Sequence, residues 1–272
     1  MKNKLPISVC MISGAEAPRI GQALASVAEW AGEIVVVLNE GVADGTEEIA
    51  AGFGAKIFRE PWRGFVAQKN SAGAKAAQPW LLNLDADEVV SPALAAEIAG
   101  VVSARSPSRL VYEFPRRTFY CGRWIGHGDW YPDRVRRLWR KGAARWVGEE
   151  PHAALESEGA VGRLDADLLH YANQTINQQL AKTAAYSDCF ARHCAAEKRG
   201  ATFLDLYVRP WWRFLRAYFL RLGFLDGWQG YYIAWATAFY AATRYAKVRE
   251  AQLAAEGKTA PRGDETTYAA RR

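Results

Sequence analysis

Over its first hundred residues the chain alternates short apolar runs with segments of helical periodicity, a pattern that few folds accept. Residues 33–38 read EIVVVL and residues 79–85 read PWLLNLD. Continuous apolar runs of this length suit strands covered on both faces. Residues 6–12 (PISVCMI) and 55–60 (AKIFRE) supply two further strands. Between them Ile20, Leu24, Val27 and Trp30 fall at helical spacing after Pro18, DGTEEIAAGFG gives a short helix ended by glycine, and residues 64–77 give another helix. Ser91 and Pro92 provide the N-cap and first helical position of SPALAAEIAGVV. Such alternation predicts an α/β fold on a mostly parallel, doubly wound sheet, with ligands bound beyond the carboxyl ends of its strands.

From about residue 109 the texture changes. RLVYEFPRRTFYCG, DRVRRLWRKG and GRLDADLLHY are shorter, Arg- and aromatic-rich pieces separated by turns, which predicts a mixed or antiparallel extension. Residues 175–199 and 203–250 read as helix, the latter basic and aromatic, and the polar tail reads as disordered. The expected division is a domain over 1–172, its donor part about 1–105 and its acceptor part about 106–172, then a helical region over 173–252 and a tail over 253–272. With 272 residues, half of them apolar, the chain can bury a substantial core. Cys10, Cys121, Cys189 and Cys194 show neither zinc-site spacing nor a disulfide framework, so a reduced, cytoplasmic setting is expected. The opening MKNKLPISVCMISG is too short in its apolar run for a signal peptide. No stretch reaches the roughly 18 apolar residues of a membrane span. A formal charge of +6 leaves an anionic partner open: nucleic acid, a phosphorylated substrate or anionic lipid.

Residues 80–92, WLLNLDADEVVSP, drive an apolar strand into three carboxylates, Asp85, Asp87 and Glu88. Like charges this close repel, and burial aggravates the repulsion, so something positive belongs there. A D-x-D at a strand end can face one hard cation, Mg²⁺ or Mn²⁺, whose other ligands are water and phosphate oxygens. The alternative is a solvated turn in which Asp87 and Glu88 begin the next helix and favour its dipole.

These stretches, with EIVVVLNEGVADGTEEIAAGFGAKIFREPWRGFVAQKNSA and RWIGHGDWYPDRVRRLWRKGAARWVGEEPHAALE, resemble in order and spacing the inverting family 2 glycosyltransferases with a GT-A fold, and among them the lipopolysaccharide-core (WaaE-like) branch. The resemblance covers about residues 6–250. It implies a Rossmann-like GT-A sheet with a C-terminal helical appendage, and transfer of a sugar from a nucleotide-diphosphate sugar, uridine by preference, to a lipopolysaccharide-core or similar lipid-linked acceptor. It implies Asp87 as direct metal ligand, Asp85 nearer the ribose or a metal-bound water, and His170 completing the metal site. Lys69 would reach the donor phosphates, beside Gln68 and Asn70, although a plain surface lysine fits its position equally. Where many family members carry an Asp after the second strand, this chain has Asn39 and Glu40; these would meet the ribose and base, or serve only the turn before Gly41.

An inverting transfer needs a carboxylate to take the acceptor proton. Glu150 in WVGEEPHAALE resembles the family's base, with Glu149 orienting the acceptor; an exposed acidic turn is the alternative, and His152 is a second choice for the metal site. His127, Asp129, Trp130 and Asp133 in RWIGHGDWYPDR are candidate acceptor contacts on a glycine-hinged aromatic loop. In the C-terminal helices Arg209, Arg213 and Arg216 follow i, i+4, i+7 spacing beside many aromatics. That pattern suits peripheral association with a membrane surface, expected at the inner face of the inner membrane, or packing of the helices on the catalytic domain. Single-stranded nucleic acid also uses aromatics with arginines, but the upstream acids make nucleic acid a poor fit. A glycosyltransferase for another envelope glycan or polyprenyl-linked sugar, or a non-catalytic scaffold, are the other readings.

Overall fold

A computed structural model describes residues 4–148, 153–173 and 175–258. The chain divides into two compact units: the first holds the residues up to Ile125 and Trp130–Ala172, and the second holds Gly126–Asp129 and the residues from Asn173 onward.

In the first unit the strands are β1 (Leu5–Ser13), β2 (Ala31–Asn39), β3 (Lys56–Glu60), β4 (Trp80–Asn83), β5 (Glu88–Val90), β6 (Val111–Tyr120), β7 (Arg123–Trp124), β8 (Asp133–Arg140), β9 (Ala144–Val147), β10 (Ala154–Ser157), β11 (Gly162–Arg163) and β12 (Leu168–Asn173). The large sheet runs β3-β2-β1-β4-β8-β6-β12-β5, with β7 and β11 on β6, while β9 and β10 form a separate pair. From β3 to β4 the pairing is parallel; β8 joins β4 antiparallel, and the remainder of that path is a mixed extension. The D-x-D therefore follows the last parallel strand, where the sheet changes sense.

The apolar strands are buried because both faces are covered. Val9, Val36, Leu82 and Leu84 meet Ile20 and Leu24 of α1 (Ala17–Ala25), Ala50 of α2 (Thr46–Gly52), and Leu94 and Ile98 of α4 (Pro92–Val102). The alternate side chains, Cys10, Val37 and Leu81, meet Ala72 of α3 (Phe65–Lys75), Trp139, Trp146 and Leu155. Ser91 caps α4 by accepting from the Leu94 amide. The first helix is shorter than its periodicity predicts: it stops at Ala25, and the following turns are closed by Trp30 Nε1 donating to Ser26 O. A further difference is that no helix starts at Glu88; the three residues of β5 intervene.

The second unit contains α5 (Ile176–Ala196), α6 (Arg209–Leu215) and α7 (Gly227–Ala255). Residues 203–226 are not one helix. Wide π turns at Leu204–Val208 and Arg216–Leu220 flank α6, and a short 3₁₀ turn covers Gly223–Asp226. Pro210, near the start of α6, has no N–H to give the preceding turn, which favours such a break. Gly223 and Gly230 permit the close return: a Cβ on Gly230 would meet the Gly223 carbonyl at 1.9 Å. α7 runs to Ala255, and residues 259–272, which include most of the expected tail, lie outside the described residues.

Candidate active site

The acids after β4 are neutralised by the protein's own cations. Asp85 Oδ1 accepts from Lys69 Nζ at 2.9 Å and Asn83 Nδ2 at 3.2 Å, and Oδ2 accepts from Arg137 Nη2 at 2.6 Å. Glu88, 0 % exposed, accepts from the same Arg137 nitrogen at 3.0 Å and from Arg116 at 3.3 Å. Its other oxygen accepts from the Asp85 amide at 3.0 Å. Arg116 in turn donates twice to Asp133, at 2.7 and 3.0 Å. Burial on its own raises the Asp85 pKa, but Arg137 and Lys69 outweigh it and hold the carboxyl well below its usual range. Lys69 is lowered by burial and by Arg137, against the pull of Asp85.

Arg137 reaches this cluster through a bulge. β6 and β8 pair Tyr112 with Leu138 and then Glu113 with Arg136, leaving Arg137 without a partner in the register. Burial along β8 alternates until that point, and then Arg137, Leu138 and Trp139 are buried in succession. A bulge of this kind turns a side chain off the strand's normal alternation, and here it sends a guanidinium to two acids.

Asp87 is held more loosely. Its Oδ2 lies 3.7 Å from His170 Nε2 and 4.0 Å from Arg19 Nη1. β12 brings His170 there by pairing antiparallel with β5, His170 opposite Glu88, and by the Tyr171 amide donating to Asp87 O at 2.8 Å. Thr118 Oγ1, 3.3 Å from His170 Nδ1, orients the ring. Burial raises the Asp87 pKa, and His170 more than offsets it, so the carboxyl sits below its ordinary value. Among the described residues no trio of His, Cys, Asp and Glu is disposed to hold a metal. One carboxylate and one imidazole nevertheless fit a divalent ion that draws its other ligands from water and substrate phosphate. The nitrogen donor favours Mn²⁺ over Mg²⁺.

The other expected site residues take varied positions. Lys69 is a buried lysine, its ammonium 4.6 Å from the centre of the Trp146 ring as well as on Asp85. Asn70 clips β9: its amide donates to Trp146 O and accepts from Trp146 N, both at 2.9 Å, so both ends of the expected donor-binding side chain are engaged. Asn39 ends β2 opposite Glu60, and Glu40 follows, exposed, with its amide on Glu60 O. Val147 and Ala154 pair at the stem of the β9–β10 hairpin; Glu149, Glu150 and His152 lie outside the described residues.

The four acceptor candidates are not gathered in one unit. Trp130 packs edge-on against Tyr120 at 5.2 Å, and Asp133 is engaged by Arg116, both in the first unit. His127 and Asp129 cluster with the second, His127 Nδ1 3.3 Å from Asp226 and Asp129 accepting from Arg216 at 2.7 Å. Arg116 and Arg137 are the contributors that the sequence did not reveal. Their only signal was the demand for positive charge made by Asp85 and Glu88 together.

The chain belongs to glycosyl transferase family 2, whose profile matches residues 8–144, from β1 to the start of β9. It is a glycosyltransferase with the α/β, GT-A architecture expected of that family. It is 32% identical over 257 residues to the lipopolysaccharide core biosynthesis glycosyltransferase LpsC of Rhizobium meliloti, covering 90% of this chain and 92% of that protein. A glycosyltransferase of Rickettsia typhi is 30% identical over 91% of this chain and 88% of its own length. Among solved structures, S. aureus TarS 1–349 in complex with UDP is 15% identical over 94% of this chain and 93% of its own, with a TM-score of 0.47. Mycobacterium tuberculosis glucosyl-3-phosphoglycerate synthase, crystallised with Mn²⁺ and UDP-glucose, is 20% identical over 43% of this chain and 44% of its own, with a TM-score of 0.34.

Proposed function

We propose that the protein transfers a sugar, with inversion, from a nucleoside-diphosphate sugar to a lipid-linked acceptor of the lipopolysaccharide core. The observation that carries this is the pairing of Asp87 with His170 at the end of the parallel strands, beside an Asp85 already satisfied by Lys69 and Arg137. Asp87 and His170 are the residues that would hold Mn²⁺ or Mg²⁺, which when bound would supply positive charge to the diphosphate leaving group. The family resemblance supports uridine diphosphate as the donor nucleotide. The similarity to LpsC along nearly the whole chain supports the acceptor class.

The chain's own residues do the rest. Lys69 and Arg137 keep Asp85 ionised and fixed, so that it presents a set edge to the ribose or to water. Asn70 clips β9 at Trp146, and Lys69 and Arg137 lie over the Trp146 ring at 4.6 and 5.7 Å. That anchors the hairpin stem leading to Glu150. As the acceptor oxygen bonds to the anomeric carbon, the bond from that carbon to the diphosphate breaks and Glu150 receives the acceptor proton. Glu149 orients the acceptor. A lipid-linked acceptor places the reaction at the inner membrane's cytoplasmic face, which the exposed aromatics of the second unit suit. Glu150→Gln should reduce transfer from labelled nucleotide sugars to extracted core oligosaccharide by roughly 100-fold or more while sparing donor binding. Unchanged transfer would remove Glu150 from the role.

A further inference from the structure

Within the second unit, three guanidinium groups converge on one buried carboxylate. Arg216 Nη2 donates to Asp129 Oδ2 at 2.7 Å, while Arg213 and Arg221 each stand at 3.6 Å from an Asp129 oxygen. Asp129 neutralises one charge, so the cluster keeps an excess of two. Among the described residues no other acid pairs with these three guanidiniums, and residues 206–225 and 227–249 contain none. Of the flanking acids, Asp205 pairs with Arg209 at 2.6 Å, and Asp226 accepts from the amides of Gly126 and His127 and faces the His127 ring instead of an arginine of the cluster. Among the described residues no side-chain hydrogen bond is found for Arg213 or Arg221, and their side chains are 39 and 47 % exposed. Partly exposed guanidiniums with free forks and unbalanced charge are made for an oxyanion, and for phosphate above others.

The surroundings say which phosphate. Trp211, Trp212, Phe219, Leu220 and Trp228 are more than half exposed, and an apolar cleft of about 300 Å³ opens between Tyr207, Trp211, Trp235 and Phe239. No helix among the described residues is long and apolar enough to cross a membrane. Aromatics beside arginines on non-spanning helices match the boundary between headgroup and acyl chain.

We infer that Arg213, Arg216 and Arg221, braced by Asp129, bind the phosphate of an anionic membrane lipid while the neighbouring aromatics enter the acyl boundary. The inference rests on the proposed membrane association and adds the headgroup chemistry and the residues that read it. The test is co-sedimentation of the full chain with phosphatidylcholine vesicles and with phosphatidylcholine–phosphatidylglycerol vesicles. The wild type should prefer the anionic vesicles, and Arg213→Gln/Arg221→Gln, which leaves the Arg216–Asp129 pair intact, should bind them roughly 30-fold more weakly. Its residual binding to neutral vesicles and its thermal melting should match the wild type. Equal binding of both vesicle types by the wild type, or unaltered binding by the variant, overturns the phosphate site. No binding of either vesicle overturns the membrane association itself. Inorganic phosphate that displaces the wild type from vesicles and raises its melting temperature would assign the site to free phosphate, against the lipid.

Discussion

Two clusters of charge in this molecule are built on opposite principles. Around the D-x-D, three carboxylates (Asp85, Glu88 and Asp133) face three cations (Lys69, Arg116 and Arg137), so the network is balanced and largely buried. Around Asp129, three guanidiniums face a single carboxylate and remain partly exposed. A balanced buried network has no net charge with which to draw a counter-ion; it holds geometry. An unbalanced cluster at the surface keeps its field and draws a counter-ion. The comparison also separates the members of the D-x-D: Asp85 belongs to the fixed network, whereas Asp87, with the His170 imidazole at 3.7 Å and Arg19 at 4.0 Å, is the more loosely held carboxylate and the one we propose for the metal.

The largest effect should come from breaking the balance. Arg137→Met strips the shared counter-ion from Asp85 and Glu88 and should cost about 3–5 kcal/mol in urea unfolding, as expected when a buried pair loses one member. A loss under about 1 kcal/mol would mean that the network is not dry or not coupled. Next in size, Asn70→Ala frees the Trp146 amide and carbonyl and should cost about 1–3 kcal/mol, with a loss of activity exceeding any loss of donor affinity if the β9–β10 stem positions Glu150. Smaller still is the effect at Glu60. Its carboxyl is pulled down to about 2 by Lys75, against burial, and further by Ser71 and Arg63. The stability it adds is present above its ordinary value of 4.5 and is lost as pH falls towards 2. Glu60→Gln should therefore lower the melting temperature at pH 7 and match the wild type near pH 2. A constant difference across that range would show that the carboxylate's charge is not what matters.

Much of the first unit was legible because burial on two faces leaves an unmistakable trace: VVVL in β2 and LLNL through β4 cannot be solvent-facing alternation. The Ser91 cap was equally readable, since its serine and proline act locally. Arg137 was not, because DRVRRLWR gives it the same look as the exposed Arg134 and Arg136, and only a register slip against β6 turns it inward. Nor was the fate of Asn70, whose amide serves a strand 76 residues away. His170 beside Asp87 depends on the antiparallel register of β12 on β5, which family resemblance anticipated but local pattern alone did not. In the second unit the aromatic and basic composition was plain, but the arginine stripe read as a continuous helix face is instead broken by π turns. Two of its members, Arg213 and Arg216, converge with Arg221 on Asp129, a residue expected to touch the acceptor.

The division of labour between Asp85 and Asp87 is tested most directly by calorimetry of UDP binding with and without Mn²⁺. The wild type should bind UDP at least tenfold more tightly with Mn²⁺, and Asp87→Ala, though folded, should lose that enhancement entirely. Full metal-dependent binding by Asp87→Ala would contradict the account and return the metal to some other group.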